Sequence, residues 1–135
     1  MYPIQVMKVL FVCRGSVGRS QMAKAFYDQY SLSKDKAISA GTKVFEREGQ
    51  IIKNLGESAQ RVVKSMKEKG IDLSEEKRKQ IAPKMIEEAD KIVLIAEKEN
   101  IPDELFDNPK SIFWDVQDPL NLPYDQVCNI RDILT

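Results

Sequence analysis

Two continuous apolar runs, separated by segments of helical periodicity, predict an α/β domain: one three-layer unit with a parallel sheet and helices on both faces. Val9-Leu10-Phe11-Val12 and Ile92-Val93-Leu94-Ile95 are runs of the kind required by strands buried on both sides. Between and after them, apolar residues recur at three- and four-residue spacing, the period of helices that cover a sheet. Strands alternating with helices imply right-handed crossovers and therefore parallel pairing. With 135 residues and no repeat, low-complexity tract or Gly/Ser linker, residues 1–135 are expected to form a single domain.

The elements follow in order. A first strand is expected over residues 6–13, then a loop with two glycines, Arg14-Gly15-Ser16-Val17-Gly18, then a helix with Met22, Phe26 and Tyr30 at i, i+4, i+8. Ala37-Ile38-Ser39-Ala40 reads as a second, weak strand running into Gly41-Thr42. Ala59, Val62, Val63 and Met66 mark a second helix, with Gly70 where a left-handed cap is wanted. Pro83 suits the first turn of a short helix through Glu88. A third strand is expected over residues 91–97, a turn around Pro102, a break at Asn108-Pro109 and a fourth short strand at Ile112-Phe113-Trp114. The span from Tyr124 to Leu134 closes the chain as a helix with Val127, Ile130 and Leu134 on one face.

Composition removes much chemistry. Histidine is absent, which excludes Ser-His-Asp triads, Cys-His dyads and His-ligated zinc and leaves acid–base work to Asp, Glu, Lys, Tyr or Cys. Cys13 and Cys128 stand far apart with no CxxC, so no disulfide framework or zinc knuckle is encoded, and a reducing, cytoplasmic setting is expected. The start lacks a basic leader region and no apolar run approaches the ~20 residues of a membrane span, so neither secretion nor membrane attachment is expected. Twenty-one bases balance 21 acids, so no global field favours nucleic acid. The distribution is uneven: residues 1–27 hold four bases and no acid, whereas residues 85–135 hold four bases and 12 acids. A locally basic N-terminal segment suits a small anion.

In open α/β sheets, ligands sit beyond the carboxyl ends of the strands, here the loops after Val12, Ala40, Ile95 and Val116. Cys13 and Asp118 both fall there. The stretch from Cys13 to Ser20 contains Cys-x5-Arg, a weak pattern alone that gains specificity from its place between the best strand and the first helix. Backbone N–H groups of such a loop form an anion nest, the helix N-terminus adds roughly half a positive charge, and Gly15 and Gly18 permit close approach. Helix N-termini with a neighbouring arginine are where cysteines act as thiolate nucleophiles. Arg19 offers a planar fork for phosphate oxygens, and the Ser20 hydroxyl can donate to the sulfur. The competing readings are a buried strand-end cysteine and a solvated first-turn arginine. Pro119 biases Asp118 toward an extended conformation in a rigid loop. That makes it a fair acid–base candidate, against a solvated turn aspartate or its neighbour Asp115.

These residues resemble the low-molecular-weight protein tyrosine phosphatases, whose sister branch is the thioredoxin-coupled arsenate reductases. The resemblance runs through Val12-Cys13 to Arg19-Ser20, Ser39-Ala40-Gly41-Thr42, Gly70-Ile71-Asp72, Glu88 to Ile92 and Asp118-Pro119. It implies a four-stranded parallel sheet in the order 2-1-3-4. It also implies Cys13 as a nucleophile forming a phosphocysteine, Arg19 as phosphate clamp, Ser20 as the thiolate's partner and Asp118 as general acid and then base. Substrate binding would fall to Arg14, Gly15, Ser16, Val17, Gly18 and Arg19, with no cofactor and no metal. The implied partners are a phosphorylated protein or small phosphomonoester, with phosphate, vanadate or arsenate as anion ligands.

Several positions depart from the family pattern. Ser16 replaces an Asn that fixes the loop, so the loop is held less firmly or by another hydrogen bond. Val17 stands where the phosphoarginine-specific branch has Thr. Arg14 adds a second loop cation, most simply at the rim. Phe45 aligns with an aromatic that walls the pocket, a place a core phenylalanine would also fill. The segment Leu120-Asn121-Leu122-Pro123 lacks the tyrosines that flank aromatic substrates in eukaryotic members. Arsenate reduction is the leading alternative, but the segment after the third strand has no cysteine to take over an oxidised sulfur, and Cys128 reads as core packing. A phosphocysteine carrier would have no use for Arg19 together with Asp118.

Overall fold

The longest apolar run lies at the centre of the sheet. In the computed structural model, which describes residues 7–31 and 36–135, β1 (Lys8–Cys13) is buried from Val9 onward. It pairs in parallel with β2 (Lys36–Gly41) on one side and β3 (Lys91–Leu94) on the other, and β4 (Ser111–Phe113) flanks β3. The strand order is β2-β1-β3-β4. The register sets Cys13 beside Gly41 and Val12 beside Leu94, so the chain leaves these strands at one common edge.

The period of two along β1 sorts its side chains into two cores. Val9 and Phe11 pack with Met22 and Phe26 of α1 (Arg19–Tyr30), Val62 and Met66 of α2 (Glu57–Lys67) and Val127 and Ile130 of α5 (Tyr124–Ile133). Leu10 and Val12 face the other way, with Ile92 and Leu94, toward α3 (Pro83–Glu88) and α4 (Asp103–Phe106). Each fully buried Leu, Ile or Met contributes about 1.5–3 kcal/mol relative to exposure, so β1 anchors both layers. Gly70 has φ +76°, and the Ile71 N–H closes back on the Met66 carbonyl at 3.1 Å, ending α2 as its sequence predicts.

The structure departs from the sequence reading in a few places. The third strand stops at Leu94; the Ile95 N–H still donates to the Val12 carbonyl at 2.6 Å, and then the chain turns away and carries Glu97 toward α1. The turn around Pro102 is followed by the one-turn helix α4. Tyr30, the last residue of α1, is exposed and stacks on Phe26. Val6 lies outside the described residues. Residues 71–82, where periodicity predicts no element, run as a strap along the carboxyl edge of the sheet, bridging Gly41 through Gln80 and Ile51 through Lys77. Among the described residues no helix is long and apolar enough to cross a membrane.

Candidate active site

The loop after β1 wraps its backbone around the sulfur of Cys13. Ser16 adopts φ +55°, which turns its N–H inward to donate to Cys13 Sγ at 3.3 Å. Ser20, in the first turn of α1, sets its Oγ 3.0 Å from the same sulfur, and both serines are fully buried. Left-handed backbone is costly for a side chain other than Gly, Asn or Asp, so the loop needs outside support. The strap supplies it: the Lys79 N–H donates to Ser16 Oγ at 3.2 Å, and Arg78 Nε donates to the Gly15 carbonyl at 2.9 Å. From α1, Gln21 Nε2 donates to the Ser16 and Lys77 carbonyls, both at 3.1 Å, stapling loop to strap. The loop is thus held by other hydrogen bonds than the one the family Asn would make.

Gly41 is required at the end of β2. A Cβ there would lie 2.6 Å from the Arg14 carbonyl oxygen and 2.8 Å from the Ser16 nitrogen. Without it, the Thr42 and Lys43 N–H groups reach the Cys13 and Arg14 carbonyls at 2.9 Å each. Gly18 lies nearly as close to Pro119, whose Cγ would be 2.9 Å from an added Cβ, so the Asp118-Pro119 loop seats directly on the helix start.

Arg19 is 2% exposed and already engaged. Its Nη1 donates to Glu97 Oε2 at 2.7 Å and to the Val116 carbonyl at 2.8 Å, while Nη2 lies 3.4 Å from Glu97 Oε1 and 3.5 Å from Asp118 Oδ2. With Nη1 spent, the Nε–Nη2 edge is the one left to grip an anion side-on. Burial opposes ionisation of Glu97, yet the hydrogen bond and charge of Arg19, a backbone N–H and the Asn100 amide hold its carboxyl below the usual 4.5. Asp118 is held by a tight turn in which its Oδ1 accepts the Leu120 N–H at 2.9 Å.

A cavity of about 720 Å³ opens over this loop. Cys13, Arg14, Gly15, Val17, Gly18 and Arg19 line it, and Asp118 joins them from the loop after β4. Two of the sequence-predicted contacts do not reach it. Ser16 lies beneath the loop as a support, and Phe45 stands outside, 57% exposed with φ +52°, neither pocket wall nor core. Asp115 is exposed and outside the cavity. Cys128 is half-buried rather than packed in the core, its thiol 3.5 Å from Oε2 of Glu68, just past the C-terminal end of α2. Periodicity could not single out Glu97, Arg78 and Gln21. Glu97 sits in a stretch notable in sequence only for lacking cysteine, and Arg78 in a run of charges that reads as a solvated face.

Comparison with known proteins agrees with this fold. The family model for the low molecular weight phosphotyrosine protein phosphatase matches residues 8–135. Among solved structures, the YwlE arginine phosphatase from Geobacillus stearothermophilus is 25% identical with a TM-score of 0.75, the match covering 95% of this chain and 85% of that one. A low molecular weight protein tyrosine phosphatase from T. tengcongensis is 26% identical with a TM-score of 0.75, over 95% and 92% of the two chains. An arsenate reductase in its phosphate-binding state shares the fold at 22% identity and a TM-score of 0.75, over 96% and 91%.

Proposed function

The chain belongs to the low molecular weight phosphotyrosine protein phosphatase family, and on that premise we propose that it hydrolyses phosphomonoesters, phosphotyrosine foremost, through a phosphocysteine on Cys13. The observation that carries this reading is one sulfur facing a backbone N–H and a buried serine hydroxyl, beside a buried arginine and an aspartate on a rigid turn. In the first step the Cys13 thiolate attacks phosphorus. The P–O bond to the leaving group breaks as Asp118 gives that oxygen a proton. The loop N–H groups and the free edge of Arg19 take up charge on the three equatorial oxygens, where stabilisation counts most. In the second step the Asp118 carboxylate takes a proton from water, the water oxygen attacks phosphorus and the S–P bond breaks. Inorganic phosphate leaves and the thiolate is restored, its charge eased by Ser20.

Glu97 acts before either step. By occupying Nη1 it fixes the plane of the guanidinium, so the free edge meets the anion without a search through rotamers. Val17, aliphatic where the phosphoarginine branch has Thr, favours a phosphoester. Cys128, on Glu68 and away from the cavity, offers no second thiol to an oxidised Cys13, which favours hydrolysis over arsenate reduction. A reducing cytoplasmic compartment suits a catalytic thiol.

Initial rates on phenyl phosphate, phosphotyrosine and phosphoarginine, with and without vanadate, test the reading. Vanadate-sensitive turnover is expected, with phosphotyrosine above phosphoarginine, and Cys13→Ser should lose at least ~10⁴-fold in kcat. Absence of turnover by the intact protein would overturn the proposal, and so would an active Cys13→Ser variant.

A further inference from the structure

On the Gly15 side of the loop the cavity is lined by four cations, Arg14, Lys43, Arg47 and Arg78, and none has a carboxylate within ion-pair distance among the described residues. The three other arginines of the chain are each ion-paired. Arg19 meets Glu97 and Asp118, Arg61 meets Glu57, and Arg131 meets Glu68 and Asp132.

Arg78 is the anchor of the group. It is 7% exposed and spends Nε on the Gly15 carbonyl and Nη1 on Gln50 Oε1 at 2.9 Å. Its Nη2 has no hydrogen-bond partner among the described residues and lies 3.3 Å from where a Cβ on Gly15 would stand. Burial first, and then the like charge of Arg47, depress the arginine's proton affinity. Arg47 is itself pinned beside it, donating through Nη2 to the Lys43 carbonyl at 2.9 Å. Cations held together without counter-ions repel one another, and an incoming anion relieves that repulsion.

We propose that Arg78 and Arg47, with Lys43 and Arg14 at the rim, form a second anion subsite that selects phosphomonoesters carrying a further carboxylate or phosphate beside the reacting group. The proposal deepens the phosphatase reading and rests on it for the position of the first phosphate. It places the second anion on the Gly15 side, because the arginines without a carboxylate partner lie there, whereas the other cavity arginines are taken, Arg61 by Glu57 and Arg19 by Glu97 and Asp118. Arginine forks suit either a carboxylate or a phosphate. An acidic residue flanking a phosphorylated residue and a small bisphosphate present the same chemistry.

Non-hydrolysable probes read the subsite whether or not the protein turns over. Calorimetric binding of phenylphosphonate would be compared with its meta- and para-carboxy derivatives and the matching carboxamides, together with meta-phenylene bisphosphonate. At least one acid-bearing probe should bind about tenfold tighter than its neutral counterpart, the worth of one well-placed ion pair. Lys43→Gln and the double variant with Arg47→Gln should bring that ratio toward one while phenylphosphonate binding stays the same. Equal affinity for acid and amide in both isomers would overturn the subsite, as would a preference that survives both variants. A uniform loss of affinity for every probe would also overturn it, indicating general attraction of anions. Turnover of phenyl phosphate, followed in parallel, separates failure of the subsite from failure of the phosphatase reading. Extension of an acidic phosphotyrosine peptide against one with neutral flanks would then distinguish a peptide source from a small bisphosphate.

Discussion

The two walls of the cavity are built on opposite electrostatic plans. On the Gly15 side, the strap and the turn after β2 present Arg78, Arg47 and Lys43 with no carboxylate paired to them among the described residues. On the Gly18 side, Asp118 from the loop after β4 lines the cavity against the Arg19 guanidinium, which Glu97 from the loop after β3 holds from outside the cavity. The first wall attracts charge and holds the loop in shape; the second spends its charge on orienting Arg19 and supplies a group able to move a proton. Cys13 lies between them. On the proposed mechanism, binding and proton transfer fall to different segments of chain, so a substitution on one wall should leave a signature that one on the other does not.

The proton-transfer wall should give the largest effect. Asp118→Asn keeps the turn, since an amide oxygen can still accept the Leu120 N–H, and removes the acid. We expect kcat on phenyl phosphate to fall by ~10²–10³ with little change in KM, and the loss to shrink for a nitrophenyl leaving group that needs no proton. An equal loss on both substrates would mean that Asp118 serves structure.

On the opposite wall, Gly41→Ala drives a methyl group into the Arg14 carbonyl and the Ser16 nitrogen, both of them backbone atoms that cannot swing aside. Unfolding free energy should drop by about 1–3 kcal/mol, read by urea denaturation, with phosphate affinity falling in parallel. A fully stable, active variant would mean that the loop is more pliable than its hydrogen bonds imply.

Arg78→Met is milder. It leaves the Gly15 carbonyl and Gln50 Oε1 without their partner, at about 1–2 kcal/mol. Its mark on activity should lie in KM for acid-bearing substrates more than in kcat, the reverse of Asp118→Asn.

Glu97 yields the smallest effect and a pH signature. Its carboxyl titrates below the ordinary 4.5, so the native state favours the ionised form. That contribution to stability is present above about pH 4.5 and is lost as pH falls through the depressed value. Glu97→Gln should therefore flatten the fall of Tm between neutral pH and pH 3 relative to wild type. An unchanged acid profile would remove Glu97 from the stability argument.

Much of this architecture is legible in the amino-acid sequence. The buried runs, the helical stripes, the left-handed cap at Gly70 and the short helix opened by Pro83 are local signals, and each forms the element its sequence implies. The loop from Cys13 to Ser20 is legible for the same reason: its glycines, cysteine and arginine lie within eight residues, between the clearest strand and the first helix. Phe45 and Cys128 depart from expectation because hydrophobicity does not say which way a side chain faces; Phe45 is turned out by a left-handed backbone, and Cys128 points at a carboxylate.

By itself, the sequence determined the sheet, its helical covering and the segment that carries the proposed nucleophile, because strand and helix periods and strand-to-helix turns are encoded within a few residues. Only the tertiary structure decided what surrounds that segment. Gln21 reaches Lys77, Arg78 reaches Gly15 and Arg19 reaches Glu97 and Val116 across as many as 97 positions of chain. A charged residue reads the same in sequence whether it is solvated or buried against a carbonyl. What separates the two is the desolvation cost that a specific partner must offset, and that partner exists only once the strands have brought distant loops to one edge.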